Sequence, residues 1–534
     1  MPPEALPKAA TEEADMEQSQ GDQGAVTIGS GPLSFEDVLA VARHGARVEV
    51  APAAVEAMQR SRALVEKHLA GDEAVYGVTT GIGALADTRI PHQDLQALQR
   101  NIVRSHAAGA GGLLPVEVVR AMMLLRARAL AAGYSGVRPD IVHRIADLLN
   151  RGIHPAVPSR GSVGASGDLA QLAHVALCIT GEGMVTDGDG RHPEAAADAL
   201  ERAGLDPLAL EAKEGLALIN GTEGMLALGI LAHHDAALLL STADLTAALS
   251  VEGALGTDRP FAEDLHRLRP HPGQASSAAN IRRLLAGSPI VASHRASEHA
   301  VQDAYSFRCA PQVNGAARDA HRFAGEVFER EVGSVVDNPV VLPDGRVEST
   351  GNFHGQPLAH AMDFLAVAMT GVGSIAERRS LWLLGHGGQR GLPPFLSTSP
   401  GLRSGYMMAQ YTQASLVSEC KVLAHPASVD SIPTSGSQED HVSMGWLAGL
   451  KLRQVLEHVR TILAIEALCA AQAVELQRPL EPAAGTTAAL RAFREQVPFL
   501  EEDRDLSADI SAASGLVRDG ALVAAAGAAV GDLA

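Results

Sequence analysis

Aromatic side chains are scarce in this sequence, since phenylalanine, tryptophan and tyrosine together make up 3% of its 534 residues. The strands of a β-sandwich use aromatic and β-branched side chains to cover their packed faces, so this scarcity disfavours an all-β fold. Alanine and leucine are abundant instead, and both favour helices. We therefore expect a mainly α protein: a bundle of long helices with a smaller, loop-rich N-terminal part.

Cysteine is also rare and is widely scattered along the chain. The four cysteines are Cys178, Cys309, Cys420 and Cys469, and no two of them have CxxC spacing. This pattern predicts reduced thiols in a reducing compartment, without a disulfide framework or a zinc site. We expect no bound metal.

Positive charge is in deficit, with 43 lysines and arginines against 62 aspartates and glutamates, which gives a formal net charge of −19. An acidic surface of this kind repels nucleic acid and anionic membranes, so we expect neither as a partner. The first 25 residues are acidic and polar and contain no apolar stretch of signal-peptide type. We expect a disordered tail there and a cytoplasmic protein.

Two long proline-free runs predict the main helices. They cover 222–254 and 442–477, and each would form a helix about 50 Å long. Histidines and aspartates interrupt the first run, and lysine, arginine and glutamate interrupt the second, so neither offers the ~20 nearly uncharged residues that a bilayer requires. We expect both to be buried in a helical bundle. Further helices are expected at 116–132 and 357–384, and short strands near 332–350.

Composition and patterning divide the chain into four predicted regions. These are a disordered acidic tail at 1–25, a loop-rich N-terminal region at 26–220, a central long-helix bundle at 221–480 and a C-terminal helical layer at 481–534.

Familiar catalytic motifs are missing. The segment 81–86 (GIGALA) has no strand pattern around it to support a dinucleotide site, and no GxxxxGK[ST] loop is present. A GxSxG elbow around Ser166 fails because Asp168 occupies the second glycine position. The pair His233-His234 lacks the HExxH spacing of a zinc protease.

The loop 161–168 (GSVGASGD) is unusual because Ala165, Ser166 and Gly167 are three very small residues in succession. The ordinary explanation is a helix N-terminus, with Ser166 or Asp168 capping the apolar run that follows. A chemical explanation is also open, because small residues permit close approach of the backbone. The amide nitrogen of Gly167 would attack the carbonyl of Ala165, and loss of water would leave an exocyclic methylene, which is a strong electrophile.

The segment GSVGASGDLAQLAHVAL resembles the signature of the aromatic amino-acid ammonia-lyase family. Seven further segments resemble that family in the same order: YGVTTGIG (76–83), LQRNIVRSHAAG (98–109), EGLALINGT (214–222), QDAYSFRCAPQV (302–313), NPVV (338–341), GNFHGQP (351–357) and DSIPTSGSQEDHVSMG (430–445). The resemblance covers about residues 30 to 534. It implies an ammonia-lyase/fumarase-like helical architecture and a 4-methylidene-imidazol-5-one (MIO) cofactor formed autocatalytically from Ala165-Ser166-Gly167, with no metal or nucleotide.

The resemblance also implies roles for residues in the matched loops. Tyr76 is the implied base and Tyr305 supports the reaction; an unperturbed phenol has a pKa of about 10, so the environment of a tyrosine base must lower it. Arg308 is implied to hold the substrate carboxylate through its guanidinium fork. The other implied site residues are Asn220 and Gln302, as hydrogen-bonding partners of cofactor and substrate, and Phe353, which shapes the cyclising loop.

Two positions bear on the substrate. Ser105-His106 is typical of histidine-specific members, whereas phenylalanine-specific members resemble Phe-Leu there and tyrosine-specific ones His-Leu or His-Gln. An apolar pair would leave buried imidazole nitrogens unsatisfied, at about 1–3 kcal/mol each. Glu439, in Gln438-Glu439, adds a carboxylate that accepts an imidazole N–H. The expected reaction is non-oxidative elimination of ammonia from L-histidine, giving trans-urocanate, the first step of histidine degradation.

Alternatives remain at this point. The same cofactor serves tyrosine and phenylalanine lyases and 2,3-aminomutases. A catalytically inactive structural homologue is a further hypothesis.

Family members are homotetramers with shared active sites, so the resemblance implies that assembly here. Some positions depart from the family pattern without removing a proposed chemical group; these are Thr79, Ile82, Gln171, Glu223 and Ala304.

Overall fold

The computed structural model describes residues 24–29, 31–71, 75–165, 167–188, 190–296 and 301–534. The tail expected at 1–25 therefore lies outside the described residues except for its last two, and Ser166 also lies outside them. Within the described residues, twenty α-helices and nine short strands are present, and 61% of the structure is helical. The prediction of a mainly α protein is confirmed.

The chain forms two compact units, each assembled from separate segments. Unit 1 contains the described residues up to Gly161 together with Leu169–Gly224 and Val332–Phe353, and unit 2 contains Ser162–Asp168, Met225–Glu331 and His354–Ala534. The division into four regions expected from the sequence stays a prediction.

Unit 1 carries all the strands that the described residues form, and each strand has only two to four residues. Strands β1 and β2 pair in parallel, and β3–β5, β4–β6–β7 and β8–β9 pair antiparallel. The strands are β1 (Val26–Ile28), β2 (Val48–Val50), β3 (Ala110–Leu113), β4 (His154–Pro155), β5 (Pro158–Arg160), β6 (Met184–Thr186), β7 (Glu194–Ala195), β8 (Val340–Val341) and β9 (Val347–Glu348). The helices that lie wholly in unit 1 are α1 (Phe35–His44), α2 (Pro52–Leu69), α3 (Leu95–His106), α4 (Val116–Ala131), α5 (Pro139–Asn150), α6 (Leu169–Ile179), α7 (Ala196–Arg202) and α8 (Glu214–Ile219).

Unit 2 is built around long helices. In chain order the remaining helices are α9 (Glu223–Gly253), α10 (Glu263–Arg267), α11 (Pro272–Leu284), α12 (Pro289–Ser293), α13 (Tyr305–Arg308), α14 (Ala310–Val332), α15 (Gln356–Gly385), α16 (Met407–Leu423), α17 (Gly445–Leu476), α18 (Ala484–Arg494), α19 (Leu506–Arg518) and α20 (Ala521–Val530). Helices α9 and α17 lie where the two proline-free runs predicted them.

One buried carboxylate joins three of these helices. Glu466 on α17 accepts hydrogen bonds from Thr246 and Ser250 on α9, at 2.8 and 2.9 Å, and forms an ion pair with Arg379 on α15. Both charged side chains are completely buried. Because a buried charge needs a partner and further hydrogen bonds, this cluster fixes how the three helices pack in unit 2.

By length and composition alone, two helices in the described part of the chain are apolar enough to cross a membrane, namely α9 and α15. The bent pair α19 and α20 would be a third if it formed one span. The histidines and aspartates within α9 therefore do not by themselves exclude a membrane span. However, 72% of the apolar stretch of α9 is buried inside the protein, so neighbouring helices account for its composition.

Candidate active site

The segment Ser162–Asp168 of unit 2 is held in a tight turn by a single carboxylate. The Ser162 hydroxyl donates to Asp168 Oδ1 at 3.0 Å and accepts from the N–H of Gly164 at 3.1 Å. Asp168 Oδ2 accepts from the N–H of Met225 at 2.7 Å, and Asp168 is fully buried. The start of the turn, its end and helix α9 are thereby joined.

Two consecutive carbonyls of this turn are also occupied. The carbonyl of Val163 accepts from the N–H of Met444 at 2.8 Å. The carbonyl of Gly164 accepts from the Ser443 hydroxyl at 2.7 Å and from the N–H of Gly355 at 3.0 Å. The backbone just before Ala165 is thus fixed by groups that are distant in the sequence.

Three helix N-termini therefore meet at the turn. Met225 lies in the first turn of α9, Gly355 directly precedes α15, and Met444 directly precedes α17. The N-terminus of a helix carries a partial positive charge, and three of them stabilise negative charge that develops nearby. This electrostatic setting suits an electrophile that must accept electron density.

Close packing explains why glycines surround the turn. Gly164 has φ +74°, and a Cβ there would lie 2.2 Å from Ser443 Oγ; a Cβ at Gly355 would lie 2.5 Å from Met225 Cε. Gly167 also has a left-handed φ, +72°, and Ala165 is buried. Small residues and a left-handed glycine allow the close backbone approach that cyclisation requires, so the described residues of 165–167 and their surroundings fit the MIO group.

Tyr76 lies in a structured loop of unit 1. Its hydroxyl accepts a hydrogen bond from the N–H of Gly83 at 3.1 Å. The loop is stabilised by Thr79 and Thr80, whose hydroxyls accept from the N–H groups of Val75 and Gly77 at 2.8 and 3.3 Å. Tyr76 is partly exposed, so the loop fixes its hydroxyl while part of the side chain remains accessible.

Asn220 ends helix α8 in unit 1 and is 3% exposed. Its Nδ2 donates to the carbonyl of Asn338 at 2.8 Å, whereas Oδ1 has no hydrogen-bond partner among the described residues. A buried amide oxygen without a partner costs about 1–3 kcal/mol. This atom is therefore suited to accept a hydrogen bond from a bound group.

Ser105 and His106 lie at the C-terminus of α3 in unit 1. His106 Nδ1 is 2.8 Å from the carbonyl oxygen of Ile102 and 3.1 Å from Ser105 Oγ. Because a carbonyl oxygen only accepts, Nδ1 carries a proton. In the neutral ring Nε2 is then unprotonated and acts as an acceptor.

Tyr305 and Arg308 share one face of the short helix α13 in unit 2. The Arg308 guanidinium carbon lies 4.6 Å from the Tyr305 ring centroid, and Arg308 Nε donates to the carbonyl of Asp303 at 3.0 Å. With Nε occupied, the two terminal nitrogens remain as a fork for a carboxylate. Tyr305 is 71% exposed and Gln302 is also exposed.

Glu439 and Phe353 are the remaining predicted site residues. Glu439 Oε2 accepts from the Thr434 hydroxyl at 3.1 Å, in a short turn of unit 2. Phe353 is half-buried at the end of the last segment of unit 1. Within each unit the predicted residues lie in ordered loops and helix ends. Unit 1 holds Tyr76, Ser105, His106, Asn220 and Phe353, and unit 2 holds Ala165, Gly167, Gln302, Tyr305, Arg308 and Glu439.

Comparison with known proteins identifies the family. A family profile described as "Aromatic amino acid lyase" matches residues 33–495. A Streptomyces avermitilis protein named histidine ammonia-lyase is 53% identical over 511 residues, covering 95% of this chain and 99% of its own. A Gloeobacter violaceus protein of the same name is also 53% identical, covering 94% and 97%.

The chain belongs to the aromatic amino acid lyase family.

Solved structures agree with this aromatic amino acid lyase assignment. Histidine ammonia-lyase from Trypanosoma cruzi matches with a TM-score of 0.87 at 38% identity, covering 95% of this chain and 96% of that one. Tyrosine aminomutase from Streptomyces globisporus matches with a TM-score of 0.91 at 37% identity, covering 95% and 99%. The helical architecture expected from the resemblance is confirmed, and so is the prediction of a lyase.

Sequence reasoning missed the residues that hold the turn of this lyase. Ser162 and Asp168 lie on either side of the tripeptide. The sequence predicts only a helix cap at Asp168 and no role for Ser162, although a serine and an aspartate at this spacing can pair. No local sequence pattern indicates that the turn is held by Ser443, Met225 and Gly355, because these residues lie in distant parts of the chain. Among the described residues, no group of three His, Cys, Asp or Glu side chains forms a metal site.

Proposed function

We propose that this protein eliminates ammonia from L-histidine to give trans-urocanate, as the first step of histidine degradation in the cytoplasm. The observation that carries the proposal is the 53% identity, over nearly the full length of both chains, to proteins named histidine ammonia-lyase. The Ser105-His106 pair and Glu439 support the choice of histidine over phenylalanine or tyrosine.

The cofactor is formed, on this proposal, by the chain itself from Ala165, Ser166 and Gly167, with no metal or nucleotide. When formed, the MIO group would supply an electrophile, which would make the amine a better leaving group or the β-proton easier to remove. The turn 162–168 supports this step by holding the flanking backbone through Asp168, and the three helix N-termini favour negative charge beside it.

Other residues bind the substrate and move its proton. Tyr76 takes the β-proton, and Tyr305 assists. Arg308 holds the substrate carboxylate with the fork left by its Nε bond to Asp303. Asn220 and Gln302 contribute hydrogen bonds, and Asn220 Oδ1 accepts from an N–H donor.

Side-chain recognition follows from hydrogen bonding. His106 Nε2 is an acceptor in the neutral ring, because Nδ1 donates to the Ile102 carbonyl. The Glu439 carboxylate is a second acceptor. Either acceptor suits the one N–H of a neutral imidazole, whereas the phenyl ring of phenylalanine offers neither of them a donor.

The assembly that we propose is a homotetramer. Apolar side chains on α16 support it, since Met408, Tyr411 and Val422 are 59%, 60% and 68% exposed. Phe364 and Val367 on α15 are exposed as well. Apolar surface of this extent favours contacts between chains, and native mass spectrometry tests the number of subunits.

The deciding experiment is ultraviolet absorbance of the purified enzyme incubated separately with L-histidine, L-tyrosine and L-phenylalanine. We expect a urocanate signal with histidine alone, abolished by Ser166→Ala. Cinnamate or coumarate would contradict the choice of substrate, and a β-amino acid product would indicate an aminomutase. Intact mass provides a readout independent of turnover, because cofactor formation lowers the mass by two water molecules.

A further inference from the structure

Unit 1 contains a fully buried ion pair, one member of which is the sequence neighbour of the residue that contacts Asn220. Lys213 Nζ donates to Asp337 Oδ2 at 2.6 Å, and the two side chains are 0% and 2% exposed. A second buried pair, Arg126 and Glu223 at 2.6 Å, lies in the same unit. Burial is the largest influence on Lys213 and lowers its pKa, while Asp337 opposes that shift.

The ion pair is connected to Asn220 by a short chain of hydrogen bonds. The second carboxylate oxygen of Asp337, Oδ1, accepts from the N–H of Asn338 at 2.8 Å. The carbonyl of Asn338 accepts from Asn220 Nδ2 at 2.8 Å. This last bond fixes the orientation of the carboxamide, because Nδ2 faces the carbonyl and Oδ1 faces away from it.

Helix α8 is held at both ends by this arrangement. Lys213 directly precedes α8 and contacts Asp337. Asn220 directly follows α8 and contacts Asn338, the next residue after Asp337. Lys213 adopts a left-handed backbone conformation with φ +76°, which is unfavourable for a residue with a Cβ. The protein therefore maintains a strained and desolvated lysine at this position.

Stability alone is a weak explanation for such a pair. The cost of desolvating two charges can exceed their attraction, and replacing a buried ion pair by apolar residues of similar volume is often neutral or stabilising. A role in positioning explains why the charges are present. Asp337 Oδ1 holds the N–H of Asn338 and the N–H of Thr350 holds the Asn338 side chain at 2.9 Å, so Asn338 is fixed and its carbonyl orients Asn220.

We propose that Lys213 and Asp337 are positioning residues for the reaction, which hold the Asn220 carboxamide through Asn338 so that Oδ1 is presented as an unpaired acceptor. This inference rests on the proposed function, in which Asn220 binds at the reacting centre. Lys213 and Asp337 themselves need not touch the substrate.

The test compares variants that remove the charges together with a matched control. The double variant Lys213→Met with Asp337→Leu avoids leaving an unpaired buried charge, and Lys213→Arg retains the positive charge. The control pair is Arg494→Met with Glu475→Leu, because these side chains also form a 2.6 Å ion pair and are only 15% and 12% exposed. Melting temperature and intact mass show whether each variant folds and forms the cofactor.

We expect the Lys213→Met, Asp337→Leu variant to fold and to show the two-water mass deficit. Its kcat should fall about 100-fold with little change in KM, because a catalytic contact is misplaced. Lys213→Arg should recover part of this loss, and the control pair should retain kcat. In an Asn220→Ala background, removing the ion pair should change kcat by less than about twofold, because the two changes act through one group.

Retention of kcat by a folded double variant would overturn the inference, as would a full further loss in the Asn220→Ala background. Wild-type turnover in the same assay separates this inference from the proposed function. If the wild type converts tyrosine or phenylalanine instead of histidine, the substrate proposal fails, and the variants are compared on the amino acid that is converted.

Discussion

The carboxylate of Asp168 accepts the backbone N–H of Met225 at 2.7 Å, which links the end of the tripeptide turn to the first turn of α9. The same carboxylate accepts the Ser162 hydroxyl through its other oxygen. A negative charge at a helix N-terminus is stabilised by the helix dipole, so this one side chain both closes the turn and anchors it to the long-helix bundle of unit 2.

Asp168→Asn should impair cofactor formation. Asparagine keeps one oxygen for the N–H of Met225, but its amide nitrogen would then face the Ser162 hydroxyl where the carboxylate now accepts. The negative charge at the N-terminus of α9 is also lost. We expect a large fraction of Asp168→Asn chains to lack the two-water mass deficit and total activity to fall in proportion. Asp505→Asn is the control, because Asp505 accepts from the Ser507 N–H at the start of α19 and is exposed. A complete mass deficit in Asp168→Asn would contradict this account of the turn.

Gly164→Ala should be more disruptive than a glycine substitution that only strains the backbone. Gly164 and Gly152 have similar φ values, +74° and +66°, but a Cβ at Gly152 meets nothing within 4 Å whereas one at Gly164 would lie 2.2 Å from Ser443 Oγ. We expect Gly152→Ala to cost about 1–2 kcal/mol, as a left-handed alanine does. Gly164→Ala should lower the melting temperature further and reduce the mass-deficient fraction. Equal effects of the two substitutions would show that the close approach at Gly164 is unimportant.

Much of this architecture was predictable because its determinants are local. The proline-free runs gave α9 and α17 to within a few residues, and the tripeptide stood out because three very small residues follow one another. The supports of the turn were not predictable in this way. Ser443 contacts Gly164 across 279 positions and Met225 contacts Asp168 across 57, so each bond depends on how long helices pack. The Asn220 orientation likewise depends on Asn338, which lies 118 positions away.

His154 should make the protein less stable in acid. It is buried on β4, and burial, followed by the charge of Arg120, lowers its pKa to about 4. An unfolded histidine has a pKa of about 6.5, so between these values the unfolded chain binds more protons and stability rises with pH. The stability that depends on an unprotonated His154 is fully present above about pH 6.5 and is lost as the pH falls towards about 4. It amounts to at most roughly 3 kcal/mol in the free energy of unfolding.

The measurement is the urea midpoint at about pH 5 and about pH 7.5, for the wild type and for His154→Leu. We expect the wild type to lose more stability on acidification than His154→Leu does. His192→Leu is the control, because the His192 side chain is 83% exposed and its replacement should leave the pH dependence as in the wild type. Parallel pH dependences in wild type and His154→Leu would show that His154 titrates normally.

The cysteines should differ sharply in reactivity. Burial raises the pKa of Cys178 and of Cys420 to about 12 and also raises that of Cys469, and all three thiols are buried. At pH 8 a thiol with a pKa of 12 is a thiolate in only about one molecule in ten thousand, and the thiolate is the reactive form. Cys309 differs because it is partly exposed at the start of α14. We expect a disulfide reagent at pH 8 to modify at most one thiol per native chain and four thiols in denaturant. The Cys309→Ser substitution should abolish the reaction of the native protein. Rapid modification of two or more thiols in the folded enzyme would contradict the burial of Cys178, Cys420 and Cys469.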